Sequence, residues 1–260
     1  MFPELKTRSK IRLNEYAVIP TEGRVINVIP GIENCELTIV GSPQLTCPFV
    51  QLVGLVKPDG HTSRPYAAEE NVESFIYVID GAGKLKVTVE EETQELVEGG
   101  YVYAPPGAGL QFSNDTDQPV RVLIYKQKYQ PAEGCAPYRV FGNVNHSDYI
   151  QYMDLPGIWV KDLLPTDINF DMNFHVLSFE PGRCHPFIET HQQNHGAYVL
   201  EGQGIYLLGE DWIQIMPEDF IYFAPFQQQC SYAVGDSYMG EKMPNFTYIY
   251  SKDCNRDPIL

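Results

Sequence analysis

The chain has 260 residues and a formal charge of −16 at pH 7 with no basic block, which excludes nucleic acid, because phosphate binding needs clustered Lys and Arg. Hydrophobic residues make up 43% of it, enough for a well-buried core. No run approaches the ~18 apolar residues of a membrane helix, so no membrane partner is expected. The acidity reads as solubility. The opening MFPELKTRSKIRLNEYAVIP has no apolar signal core, and the expected location is the cytoplasm. Six scattered cysteines without a CxxC pair fit free thiols in a reducing compartment, with Cys184 and Cys230 expected to pack in an apolar core.

In chain order, residues 75–79, 84–89 and 120–125 are rich in β-branched and aromatic side chains and read as strands. The acidic run at 90–95 between them reads as a solvated hairpin and not a cation site. QPAEGCAPY at 130–138 is rich in Pro and Gly and suits a connector. Strands follow at 174–179, 196–200, 204–208, 212–216 and 247–251. Long amphipathic helical patterns are absent, and twenty-one Gly, twenty Pro and seventeen Tyr fit short strands joined by turns. The expected fold is all-β, built as sandwiches or barrels.

These strands form two copies of one unit. YVIDGAG at 77–83 matches YVLEGQG at 198–204 at a constant offset of 121 residues. Upstream, FVQLVGLVKPDG at 49–60 resembles NFHVLSFEPG at 173–182; downstream, GGYVYAPPGAGLQF at 99–112 resembles EDFIYFAPFQQQCSY at 218–232. Three segments in the same order define a tandem repeat, with expected domains at residues 1–145 and 146–260.

The second copy carries the candidate chemistry. Glu189-Thr-His191 places a carboxylate and an imidazole on one face of a strand, and His195 follows. Two imidazoles, one carboxylate and the Gln229 amide oxygen suit a divalent ion such as Mn²⁺ or Fe²⁺. A buried carboxylate beside two imidazoles is costly without a cation, which favours the metal over ordinary polar residues. Tyr248, Tyr250 and Lys252 share one strand face, and Lys252 there suits an anionic small substrate, although a lone Lys near a C-terminus is usually a solvated charge. Tyr206 faces either the cavity or the core, with packing at least as good a reading. His185 reads as a loop histidine ahead of a partner that orients a metal ligand, and His61 and His146 read as structural.

These motifs resemble those of the cupin superfamily. Glu189-Thr-His191 stands at its His-x-His position, His195 at its Glu position, Gly202 six residues later, and Pro217-Glu-Asp219 where Pro-x-Gly is usual. Gln229 stands at the last histidine, which selects it over Gln227 on the same strand face. The Glu/His/His/Gln set in the second half of a bicupin, with TYIYSKDCNRDP at 247–258, is similar to the (S)-ureidoglycine aminohydrolase family. That resemblance implies a bicupin of two jelly-roll-like barrels that hydrolyses (S)-ureidoglycine to (S)-ureidoglycolate and ammonia in purine and allantoin degradation. It implies Mn²⁺ held by Glu189, His191, His195 and Gln229. Substrate would be bound by Glu189, Gln229, Tyr206, Tyr248 and Lys252, with Glu189 and Lys252 catalytic. At the constant offset the first copy has Ala68, Glu70 and Ser74, so it is expected to hold no metal. A homo-oligomer is expected, with the stretch from Phe2 to Arg12 reaching a neighbour. The competing readings are a non-haem iron dioxygenase, which the Glu/His/His set also suits, and a non-catalytic ligand-binding bicupin.

Overall fold

The structure, a computed structural model, describes residues 7–235, 237–238, 240–253 and 256–257. Strands carry nearly all of its regular structure; among the described residues the helical segments are three single 3-10 turns. No described helix is long and apolar enough to cross a membrane. The strands expected at 75–79, 84–89, 120–125, 174–179, 196–200, 204–208, 212–216 and 247–251 are present, and the 130–138 connector is free of strand. Glu189-Thr-His191, expected on a strand, instead lies in a loop that touches the return strand by one isolated bridge at Glu189.

Each half forms a barrel-like stack of antiparallel strands. In the first, Val140–Asn143, Gly100–Ala104, Val72–Asp80, Val120–Lys128 and Phe49–Thr62 lie side by side, and Ile32–Gly41 pairs with the last of these. The hairpin Leu85–Val89 with Glu92–Leu96 closes the barrel through Gln111–Ser113. In the second, Tyr16–Ile19, Phe220–Phe223, His195–Glu201, Phe246–Asp253, Met172–Phe179 and Ile158–Asp162 form the main sheet. Gly204–Leu208, between Asp211–Ile215 and Gln229–Ala233, makes the opposing layer.

One edge strand crosses between the halves. Tyr16–Ile19, from the first part of the chain, pairs with Phe220–Phe223 of the second barrel, while Val140–Asn143 pairs with Gly100–Ala104 of the first. Arg8 clasps the fully buried carboxylate of Asp219 through two hydrogen bonds, 2.5 and 2.9 Å. A buried carboxylate is tolerable when paired this way, and it accounts for Asp at the usual Gly of the second cupin motif. Within the stretch from Phe2 to Arg12, Arg8 and Lys10–Arg12 lie on this chain's own second barrel. Phe2 to Lys6 of that stretch lie outside the described residues.

Three apolar clusters follow from alternation along the strands. Ile76 and Val78 point into the first barrel and Tyr248 and Tyr250 into the second. Phe75, Tyr77, Phe174 and Ile249 point the other way, into the seam between the barrels. Phe75 and Phe174 stack there with centroids 3.9 Å apart at 10°, and burying each fully contributes roughly 1.5–3 kcal/mol. Gly196, beside His195, has no side chain because the Phe49 ring fills the place: a Cβ there would lie 2.4 Å from the Phe49 ring.

Also in the seam is a buried acid pair. Glu73, fully buried, accepts hydrogen bonds from Tyr103 Oη (2.5 Å) and Gln127 Nε2 (2.7 Å) and shares another with Asp171. Burial, then the charge of Asp171, raises the Glu73 carboxyl well above the usual range.

Cys35, Cys47, Cys135, Cys184 and Cys230 are free. Cys230 packs in the interior as expected, but Cys184 is exposed, because its segment crosses the barrel mouth and does not enter the core. Cys254 lies outside the described residues. The acidic hairpin at 90–95 is largely solvated, with Arg139 reaching Glu90, Glu91 and Glu92 and Lys84 reaching Glu95.

Candidate metal and active site

One small cavity in the second barrel brings together all seven side chains singled out from the sequence: Glu189, His191, His195, Tyr206, Gln229, Tyr248 and Lys252. Its volume is about 40 Å³. The backbone explains the convergence. Glu189 and Gln229 face each other across an isolated bridge with reciprocal N–H···O bonds of 3.0 Å. His195 stands opposite Lys252 in the adjoining ladder, and Tyr206 opposite Ser231 in the layer beneath. Asp253 accepts from the backbone and side-chain amides of Asn194, both at 3.0 Å, which pins the turn leading into His195.

The donors are prepared for a cation. His191 Nδ1 lies 3.0 Å from the Gln193 carbonyl, so the proton sits there and Nε2 keeps its lone pair. His195 is buried, its ring sandwiched between Tyr250 at 4.7 Å and Phe223 at 4.5 Å, and its Nε2 has no hydrogen-bond partner. An orphaned buried ring nitrogen is costly unless something binds it. Burial lowers the pKa of both imidazoles, most strongly at His195, keeping them neutral. Burial raises the Glu189 carboxyl, opposed by its hydrogen bond from Gln229 and the charge of Lys252. Tyr206 Oη donates to the Gln229 amide oxygen at 2.9 Å, and the Gln229 amide nitrogen donates to Glu189. Burial also raises Tyr206, Tyr248 and Tyr250, so all three remain phenols able to donate. Among the described residues no three His, Cys, Asp or Glu groups already form a metal cage. Glu189 is turned to the Gln229 amide, and the fourth donor is itself an amide.

Four further side chains line the cavity: Tyr250, on the strand face already given to Tyr248 and Lys252, and Tyr152, Leu177 and His185, which sequence reasoning set aside or missed. His185 is not an ordinary loop histidine. It is buried, accepts from the Ser231 N–H at Nδ1 (3.3 Å), and aims Nε2 at Glu189 Oε1, 4.0 Å away. Burial among Phe179 and Tyr152 takes its pKa down to about 4. The available signal was its spacing of four residues before Glu189, on a segment bridged to the same return strand. Tyr206, for which packing was the competing reading, is buried and also hydrogen-bonded at the site.

In the first barrel the same scaffold lacks the Glu/His/His/Gln donor set. Tyr66 and Leu110 form the matching isolated bridge, so the residue at the place of Glu189 is Tyr66 and not Ala68. The constant offset fails there because Tyr66 precedes Ser74 by eight residues, whereas Glu189 precedes His195 by six. Ser74 does occupy the place of His195, opposite Lys126.

A bicupin with a candidate metal centre in its second barrel is the class that this fold and site define. The cupin domain family matches residues 54–125, in the first barrel. An (S)-ureidoglycine aminohydrolase of Escherichia coli (strain K12) is 40% identical over 253 residues, 97% of this chain and 94% of that protein. The (S)-ureidoglycine aminohydrolase of Arabidopsis thaliana is 28% identical over 255 residues, 97% of this chain and 80% of its own. The solved structure of the E. coli protein Ylba superposes with a TM-score of 0.85 at 38% identity, covering 98% of this chain and 97% of that one. The chain belongs to the (S)-ureidoglycine aminohydrolase family.

Proposed function

We propose that this protein hydrolyses (S)-ureidoglycine to (S)-ureidoglycolate and ammonia, with a divalent ion, Mn²⁺ by preference, held by Glu189, His191, His195 and Gln229. The observation carrying this reading is the convergence of those four donors with Tyr248 and Lys252 on one enclosed cavity. Two neutral imidazoles, an amide and one carboxylate fit a divalent ion and leave it with a net charge near +1. When bound, the ion supplies Lewis acidity and a fixed anchor for the substrate.

The chain's own residues supply the rest. Lys252 pairs with the substrate carboxylate, and the Tyr248 phenol donates to that carboxylate or to the ureido group. His191 and His195, held neutral by burial, offer nitrogen lone pairs and no competing charge. Glu189, whose carboxyl burial has raised, accepts the proton of the incoming water. Water adds oxygen to the amine-bearing carbon, the C–N bond breaks, and ammonia leaves with the transferred proton. A cavity of about 40 Å³ admits an ion and little else, so substrate entry requires the site to open. Phe187 and Ile188, exposed beside Glu189, have little packing to lose.

The test is ammonia release from freshly generated (S)-ureidoglycine by purified protein, with and without chelator. Release that stops on chelation, returns with Mn²⁺ and yields only the (S)-product supports the reading. Release no faster than the spontaneous rate in Mn²⁺-loaded protein overturns it. Oxygen consumption in the Fe²⁺-loaded protein would replace it with a dioxygenase.

A further inference from the structure

The first barrel retains one element of the second barrel's chemistry. Lys126 stands opposite Ser74 in its ladder as Lys252 stands opposite His195, so the two lysines occupy the same rung of the repeated scaffold. The metal positions around Lys126 are filled by Tyr66 and Leu110, which offer neither carboxylate nor amide. What remains at this mouth is a cavity of about 650 Å³, well within the range of small-molecule sites.

The polar groups there are cationic on balance. Lys126 Nζ lies over the Tyr66 ring at 4.8 Å, and Arg64 folds across Gly31. Neither makes an ion pair among the described residues, although the chain carries 34 acidic against 18 basic side chains. Glu69, also on the lining, sets the balance of these three groups at a single positive charge. Ile29, Ile39, Val50 and Leu52 form an apolar wall, and Ile39 leaves 42% of its surface to solvent there. Two cations outside any ion pair and a net charge of +1 beside an apolar wall match a monoanion with a hydrocarbon body. A chain of charge −16 repels anions elsewhere, which confines such binding to places where cations converge.

We propose that the mouth of the first barrel is a metal-independent binding site for a small monocarboxylate bearing an apolar chain, with Lys126 and Arg64 holding the carboxylate. The site is separate from the second-barrel cavity and does not depend on which reaction that cavity performs.

Hexanoate is a suitable probe, titrated into the intact chain by calorimetry or ligand-detected NMR in the presence of chelator, with hexan-1-ol as the uncharged control. The expected result is saturable binding of hexanoate at one site, with binding of hexan-1-ol weaker by about tenfold or more. Lys126→Met and Arg64→Met each weaken hexanoate by about tenfold or more at an unchanged melting temperature. Lys252→Met, which removes the corresponding cation of the second barrel, leaves it intact. No saturable binding to wild type, equal binding of hexan-1-ol, or loss in Lys252→Met with retention in Lys126→Met would overturn the proposal.

Discussion

At the rung where the second barrel sets His195 opposite Lys252, the first sets Ser74 opposite Lys126. At the isolated bridge, Glu189 and Gln229 correspond to Tyr66 and Leu110. Along the interior, Tyr206 corresponds to Val87, each one rung from its neighbouring bridge, and Tyr248 and Tyr250 correspond to Val122 and Ile124. The ladders are alike because outward alternation and the shared seam hold them; the chemistry differs because a few inward-facing positions differ. Aliphatic side chains fill the first barrel and close it as a core. Tyrosines, imidazoles, an amide and a carboxylate leave the second with polar atoms that need partners, and the unsatisfied Nε2 atoms of His185 and His195 mark where the partner belongs. A barrel of this kind is therefore stable without a site, and a site is added by replacing apolar side chains one rung at a time.

The largest expected break in this contrast is Glu189→Gln. It keeps the shape and the bridge to Gln229 but removes the one anionic donor and the proposed proton acceptor. Turnover of (S)-ureidoglycine should fall by at least about 10²-fold, measured as ammonia release under Mn²⁺ saturation; activity within a few-fold of wild type would remove Glu189 from both roles.

The paired lysines give the next test. Lys252→Met should lower kcat/KM by roughly 10- to 100-fold, the scale of one charge-assisted hydrogen bond of about 1.5–3 kcal/mol, and Lys126→Met should leave it unchanged. Equal losses in both would mean that the two mouths are coupled.

The smallest effect concerns the seam. Burial and Asp171 raise the Glu73 carboxyl, so its contribution to stability is complete below the ordinary carboxylate pKa and is lost as pH rises through the raised value. Glu73→Gln is neutral throughout and keeps an acceptor for Tyr103 or Gln127. It should therefore gain stability over wild type as pH rises, by roughly 1–3 kcal/mol at mildly alkaline pH, read from denaturant unfolding at several pH values. A gain that is the same at every pH would contradict the shared-proton description.

Much of this was legible in the sequence, for identifiable reasons. Strands buried on both faces, such as Phe246–Asp253, read as continuous apolar and aromatic runs, and surface hairpin strands such as Asp211–Ile215 alternate cleanly. The Glu/His/His/Gln set was picked out by its spacing and does converge on one cavity, although only His195 and Gln229 stand on strands, Glu189 making a single bridge and His191 lying in a loop. His185 was not, because nothing in a Pro-flanked loop tells that its ring turns inward to Ser231. The place of Tyr66 was hidden by two extra residues in the first-barrel loop, which a constant offset cannot register. The crossing of Tyr16–Ile19 into the second barrel was equally invisible, since pairing partners far apart in the chain leave no local pattern.

The central claim is that one barrel binds metal and the other does not. Calorimetric titration of chelator-stripped protein with Mn²⁺ tests it most directly. The account predicts one ion per chain, lost in His195→Ala and unaffected by Ser74→Ala. Two ions per chain, none, or one that survives His195→Ala would contradict it.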